Sequence, residues 1–205
     1  MRIGVDFDNT IVSYDTLFHR VALERGLIPS DLPSTKLSVR DYLRQAGKED
    51  TWTEMQGYVY GARMDDAVAH PGAIDFFAWA RSENIDLAIV SHKTRRPFLG
   101  HPYDLHEAAR GWVAKILIDR PEPLIDEADV HFELTKEAKL ARISALGLDF
   151  FIDDLPEILV ADGFPDRTAR LLFDPDGTYA GNELRALLSW DDIKKHLQDT
   201  WTNRN

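Results

Sequence analysis

Apolar positions along this chain fall into short runs of strand length and longer stretches of helical spacing, and the two kinds alternate. Within Arg2–Phe7, the apolar residues Ile3, Val5 and Phe7 predict a buried strand. Asp15 is placed to cap a helix running to about Arg25, with Gly26 as its stop. Residues 27–69 are less regular. Pro29 and Pro33 interrupt them, while Val39–Gln45 and Thr53–Tyr60 have helical character. After Pro71-Gly72, the positions Ile74, Phe77, Ala78 and the stem of Arg81 predict a helix over Ala73–Ser82. A strand follows at Ile85–Val90, then a helix over Asp104–Ile116 and a strand over Val130–Leu134. Thr135 caps a helix from Lys136 to about Leu146, closed by Gly147. Phe150-Phe151-Ile152 and Arg170–Phe173 read as strands, the second followed by a turn at Asp174-Pro175-Asp176-Gly177. Ser189 caps a last amphipathic helix from Trp190 to about Leu197, and Trp201–Asn205 reads as a tail.

Strands that alternate with helices argue for an α/β fold, a Rossmann-like parallel sheet flanked by helices on both faces. Ligands of such sheets bind beyond the carboxyl ends of the strands. Three predicted strands end there in polar groups: Asp6 to Asp8 after the first, Ser91 after the second, and Asp153-Asp154 after a later one.

Composition narrows the classes. A chain of 205 residues suits one domain, or one core with a modest insertion. With no cysteine, a disulfide framework, a thiolate zinc site and a cysteine nucleophile are all excluded. No apolar run approaches the length of a signal peptide or a membrane span, so a cytoplasmic protein with no membrane partner is expected. The net charge of -11 disfavours nucleic acid as a partner. A small anionic substrate remains compatible where basic residues gather, and a bound divalent cation would offset part of the acidity.

Four places carry candidate chemistry. Asp6 and Asp8 lie two apart in Asp6-Phe7-Asp8-Asn9-Thr10 and project to one side if the backbone is extended. Two close carboxylates attract a divalent cation, because their repulsion must be relieved. One can then stay ionised as a nucleophile while the other moves a proton. An Asp-x-Asp that merely caps a turn is the bland alternative. Ser91, at a strand end, can donate to a phosphate oxygen. Lys136 begins a helix, where the macrodipole disfavours a cation, which hints at an anion to meet. Lys139, one turn on, shares its face. Asp153-Asp154 follows an apolar strand and needs a counter-charge, a metal or a lysine. Asp154 can also cap a helix, with Glu157 completing a capping-box-like pair.

In this order, each at a strand end or helix start, the four places resemble the four motifs of the haloacid dehalogenase-like (HAD) superfamily. Motif one lies at Asp6 to Thr10, motif two at Ser91, motif three at Lys136 and motif four at Asp153-Asp154. The resemblance implies a phosphatase that works through an aspartyl phosphate. Asp6 would attack phosphorus. Asp8 would protonate the leaving group and then activate water. Thr10 would support the loop. Ser91 and Lys136 would hold phosphoryl oxygens, and Lys136 would pair with Asp6, with Lys139 as the alternative. Mg²⁺ would be bound by Asp6, by the backbone carbonyl of Asp8 and by Asp153, with Asp154 assisting. Asn9 and His92 join Thr10, Ser91 and Lys136 as candidate substrate contacts.

The resemblance also implies that residues 15–70 form a small helical cap, inserted in a core of residues 1–14 and 71–205. Tyr58, Tyr60 and Arg63 are candidate contacts within it, though packing is the plainer reading of each. The basic run His92-Lys93-Thr94-Arg95-Arg96 could meet a second anionic group or lie solvated. The expected substrate is a small phosphorylated metabolite. Two other branches of the superfamily are the alternatives. A dehalogenase does not need Asp8. A phosphonatase needs a cap lysine, for which Lys36 and Lys48 are the candidates. A non-catalytic regulatory domain would have no need of all four motifs.

Overall fold

The computed structural model of the chain describes residues 1–119, 122–179 and 184–202. In chain order its elements are β1 (Arg2–Val5), β2 (Val12–Ser13), α1 (Asp15–Glu24), α2 (Lys36–Gln45) and α3 (Glu49–Tyr60). Next come β3 (Val68–Ala69), α4 (Ala73–Ser82), β4 (Asp86–His92), α5 (Leu105–Ile116), β5 (Ile118–Asp119) and β6 (Glu122–Pro123). The last are β7 (Val130–Glu133), α6 (Lys136–Leu146), β8 (Phe150–Asp153), α7 (Pro156–Leu159), β9 (Ala169–Phe173), β10 (Ala186–Leu187) and α8 (Trp190–Thr202). The last helix therefore continues into the stretch that reads as a tail, whose residues 203–205 lie outside the described residues.

The chain divides into two compact units. The first comprises Met1–Ile11, Ala69–His92 and Ile116–Asn205, and it holds a six-stranded sheet in the order β10-β9-β8-β1-β4-β7. All of its strand pairs are parallel. The α/β architecture with a parallel sheet is thus as the alternation of elements predicts. β10, too short to show a period, is not evident in the sequence.

Period-two alternation sorts the strand residues between two helical layers. Ala88, Val90, Phe151 and Leu172 join Leu140 and Ile143 of α6 and Ile158 and Leu159 of α7 in one core cluster. On the other face Phe173 stacks on Trp190 of α8, which also packs on Phe76 and Phe77 of α4. Buried apolar side chains of this size contribute roughly 1.5–3 kcal/mol each. At Gly4 a Cβ would collide with Leu148 and Phe151, so glycine lets the central strand sit under that layer.

The chain runs outward from β1 through β4 to β7, then returns to the other side of β1 and continues through β8, β9 and β10. The strand order therefore reverses between β1 and β8, and such a switch point opens a crevice at the carboxyl edge. Asp6 follows β1, and Asp153 ends β8.

The second unit comprises Val12–Val68 and Lys93–Lys115. It takes in residues 93–115 as well as the region of the expected insertion. Its helices enclose an aromatic cluster in which Phe18 meets Trp52 at 5.0 Å and Tyr60 at 5.6 Å, while Tyr14 meets Tyr60 at 4.9 Å. Indole Nε1 of Trp112 in α5 donates to the Ala67 carbonyl at 3.0 Å. Gly57 of α3 and Gly61, just after its end, face Pro97 and Tyr103, where a Cβ would clash. Asp15 does not cap α1; its carboxylate accepts from the Lys36 backbone N–H at 2.8 Å and ties α1 to α2.

Candidate active site

The motif residues of the first unit gather at the carboxyl edge of its sheet. Register places them: Val5 pairs with Ile152 of β8 and with Ile89 of β4, and the Asp6 N–H donates to the Ile152 carbonyl at 2.8 Å. Asp6 and Asp153 are thereby brought side by side. Ser91, two residues past Ile89, lies buried at the same end of the next strand. Asn9 follows with a positive φ of 58°, a conformation that asparagine tolerates better than most residues and that turns the chain after β1.

The centre of the arrangement is Lys139. Its Nζ donates to Asp6 Oδ1 and to Asp153 Oδ2, both at 2.6 Å. Lys139, Asp6 and Asp153 are exposed by only 1%, 4% and 0%. Asp154 completes an acidic cluster: one oxygen each from Asp6, Asp153 and Asp154 lie within 4.8 Å of one another. Thr10 knits the cluster together. Its hydroxyl accepts from the Asp154 N–H at 3.2 Å and lies 3.2 Å from Asp154 Oδ1 and 3.5 Å from Asp6 Oδ2. Asp153 Oδ1 accepts from the Leu155 N–H at 2.9 Å.

One buried lysine against three acids leaves an excess of negative charge. Burial pushes the Asp153 carboxyl up to about 7, with Asp6 adding to the rise and Lys139 opposing it. Burial and the charges of Asp6 and Asp153 push Asp154 well above the carboxylate range. Burial works against the Lys139 cation, but the carboxylates of Asp153 and Asp6 outweigh it and raise its pKa above the ordinary lysine value. Three oxygen donors with surplus negative charge suit a hard divalent cation rather than a soft one, so the residues fit Mg²⁺.

Several sequence assignments shift. The pairing with Asp6 that the sequence places at Lys136 is made by Lys139. Lys136 instead reaches along the helix start, where its exposed Nζ donates to the Glu157 carbonyl at 2.6 Å. The two lysines share a helix face and differ by one turn along the axis: Lys139 is buried beside Leu140 and Ile143, whereas Lys136 sits at the helix start. The acids that cluster are Asp6, Asp153 and Asp154; the Asp8 side chain, half-buried, is not among the three. Asp154 does not cap α7 but turns to Thr10. His92 is exposed at the end of β4.

In the second unit, Arg63 ion-pairs with Glu24 and Asp66. Tyr58 carries the Arg25 guanidinium 3.9 Å from its ring centre, and Tyr60 packs in the aromatic cluster. Of the basic run, Arg95 pairs with Asp104 at 2.9 Å and Arg96 donates to the Pro102 carbonyl at 3.0 Å, so both brace their own loop. Among the described residues no helix is long and apolar enough to cross a membrane.

No family model matches the chain, and no curated protein does. Solved structures do. A predicted phosphatase from Clostridium acetobutylicum is 12% identical with a TM-score of 0.59, over 97% of this chain and 98% of that one. A HAD family hydrolase from Deinococcus radiodurans R1, solved with bound phosphate and sodium, is 17% identical with a TM-score of 0.57, over 97% and 95%. A HAD-superfamily hydrolase from Ehrlichia chaffeensis is 15% identical with a TM-score of 0.56, over 97% and 96%. Across nearly its whole length this chain carries the fold of the HAD-superfamily hydrolases.

Proposed function

We propose that the protein is a Mg²⁺-dependent phosphohydrolase that cleaves a small phosphomonoester through an aspartyl phosphate on Asp6. The observation that carries this reading is the buried Lys139 bridge, 2.6 Å from both Asp6 and Asp153 beside a third acid. Such an arrangement is a poor device for stability, since two or three buried carboxylates on one lysine leave charge uncompensated. It is a good device for phosphoryl transfer, which demands an oriented oxygen nucleophile and cations around the spreading charge. The phosphate held by the Deinococcus hydrolase of the same fold supports this class.

In this reading Lys139 fixes Asp6 through one carboxylate oxygen. Asp6 attacks phosphorus, and the Ser91 hydroxyl and the Lys139 ammonium hold phosphoryl oxygens. Asp8, next but one in the chain, protonates the leaving oxygen and then takes a proton from the water that hydrolyses the aspartyl phosphate. Asp6, Asp153 and Asp154, with the backbone of Asp8, would hold Mg²⁺, which when bound supplies positive charge against the phosphoryl oxygens. The second unit, which holds most of the expected 15–70 insertion, serves as the cap that selects the substrate. A site of this kind suits a small phosphorylated metabolite, with the cytoplasm as its proposed setting.

A panel of phosphorylated metabolites and an aryl phosphate, assayed with Mg²⁺ and with excess chelator, tests the proposal. Turnover that needs Mg²⁺ is expected. Full turnover in chelator, or release of halide from a haloacid with no phosphate ester cleaved, would overturn it.

A further inference from the structure

The motif-one loop is held from the layer of the sheet opposite Lys139. Trp190, the first residue of α8, is buried, and its indole Nε1 donates to the backbone carbonyl of Thr10 at 3.3 Å. Ser189 starts that helix by accepting from the Asp192 N–H at 3.1 Å, which fixes where Trp190 begins. The indole ring is wedged between Phe76 at 4.8 Å and Phe173 at 5.6 Å. Gly72, at a φ of 84°, passes so close that a Cβ there would lie 3.0 Å from the Trp190 Cβ. One residue on, the Ile11 carbonyl accepts from the His70 N–H at 2.8 Å, and the His70 ring sits 5.0 Å from Phe173. Two successive carbonyls of the loop are thus tied to one aromatic wall, while the side chain of Thr10 touches Asp154 and lies near Asp6.

We propose that Trp190 is a positioning residue: by holding the Thr10 carbonyl it sets the Thr10 hydroxyl between Asp154 and Asp6, and so aligns the nucleophile with the acidic cluster. The idea deepens the function proposed above and rests on it for its kinetic consequence, but not for its structural one. A buried tryptophan whose N–H had no such duty could be replaced by any ring that fills the space. Here the ring packs and the N–H points at the one loop the chemistry depends on. Losing a single neutral hydrogen bond of this length corresponds to about a two- to tenfold change in rate.

The test compares Trp190→Phe, which keeps an aromatic ring but lacks the N–H, with Phe76→Leu, which loosens the same wall and leaves the N–H in place. Amide hydrogen exchange over residues 6–11 is read first, because it needs no turnover. Trp190→Phe is expected to speed that exchange and Phe76→Leu to leave it within twofold. With an aryl phosphate and Mg²⁺, Trp190→Phe is expected to lower kcat about two- to tenfold with KM nearly unchanged. In a Thr10→Val background the same replacement should add no further loss of kcat, since the two act through one path. If Trp190→Phe does not fold, a tryptophan isostere with sulfur in place of the indole N–H at position 190 makes the same comparison. Loop exchange unchanged by removal of the N–H, or changed equally by Phe76→Leu, would overturn the inference. So would a full, additive loss in the Thr10→Val background. A wild-type protein without phosphatase activity would refute the function proposed above and leave the exchange result to decide this inference.

Discussion

The two edges of the six-stranded sheet contain the same ingredients in different proportions. At the amino edge Arg2 meets Asp129 at 3.0 Å and the Leu146 carbonyl at 3.3 Å, and its backbone N–H donates to Asp149 at 2.8 Å. The Arg2 and Asp129 side chains are each 33% exposed, so water shares the task of solvating them. At the carboxyl edge Lys139 meets two carboxylates in a region closed to solvent, and a third acid adjoins them. The first edge is a pairing of one charge with one charge, worth about 0–1 kcal/mol. The second is an imbalance that the fold sustains at a cost, as the proposed site for a cation and a phosphoryl group would require.

The largest expected effect separates the edges outright. Asp6→Asn should abolish phosphatase turnover, whereas Asp129→Asn should leave kcat within twofold. Equal losses in the two variants, measured with an aryl phosphate, would erase the distinction.

Next is Lys139→Met. Removing the lysine leaves carboxylates buried without their partner, so a loss of about 3–5 kcal/mol is expected in chelator, smaller when Mg²⁺ is present. Lys136→Ala, at the exposed helix start, should stay within about 0.5 kcal/mol and keep its activity. Chemical denaturation with and without Mg²⁺ reads both. The reverse ranking would return the motif-three assignment to Lys136.

A third effect depends on pH. The Asp153 carboxyl is raised in the fold to about 7 from an ordinary 3.8, so folding favours its protonated form. Its contribution to stability is present below the ordinary value and is lost as pH rises through about 7. In chelator, the melting temperature should therefore fall as pH rises across that window. Mg²⁺ binds the ionised form, so its stabilising shift should be larger at high pH than at low. A Mg²⁺ shift that shrinks as pH rises would contradict the cluster's role. The smallest effect belongs to the amino edge. Asp129→Asn should lower stability by no more than about 1 kcal/mol, less at high salt, and a larger cost there would mean that the edges are more alike than their exposure implies.

The order of elements was legible because parallel α/β chains alternate visibly. The strand ends carrying Asp6, Ser91 and Asp153 could be located by period alone. The partner of Asp6 was harder to place. Lys136 and Lys139 differ by one helical turn and share a face with Leu140 and Ile143, so the period does not say which of them is buried. Asp154 looked like a cap because its sequence suits one; the hydroxyl of Thr10, far away in the chain, claims it instead. Trp190 was legible as the start of the last helix but not as a donor to the motif-one loop, since that contact joins residues 180 apart. Likewise, nothing in the spacing of residues 93–115 signals that they cluster with residues 12–68, a grouping that arises from packing such as that of Trp112 on Ala67.

The central claim is that Asp6 carries the phosphoryl group while Asp8 moves the proton. Asp8→Asn should still accept a phosphoryl group, most readily from an aryl phosphate whose leaving group needs little protonation, but should release it slowly for want of an activated water, with a loss on the order of 10²–10⁴ in turnover. The measurement is intact-protein mass after mixing with an aryl phosphate and a rapid quench, followed by mapping of the modified residue. The account predicts one added phosphoryl group in Asp8→Asn, located on Asp6, and none in Asp6→Asn. A phosphorylated Asp6→Asn protein, or an adduct mapped to any other residue, would contradict it.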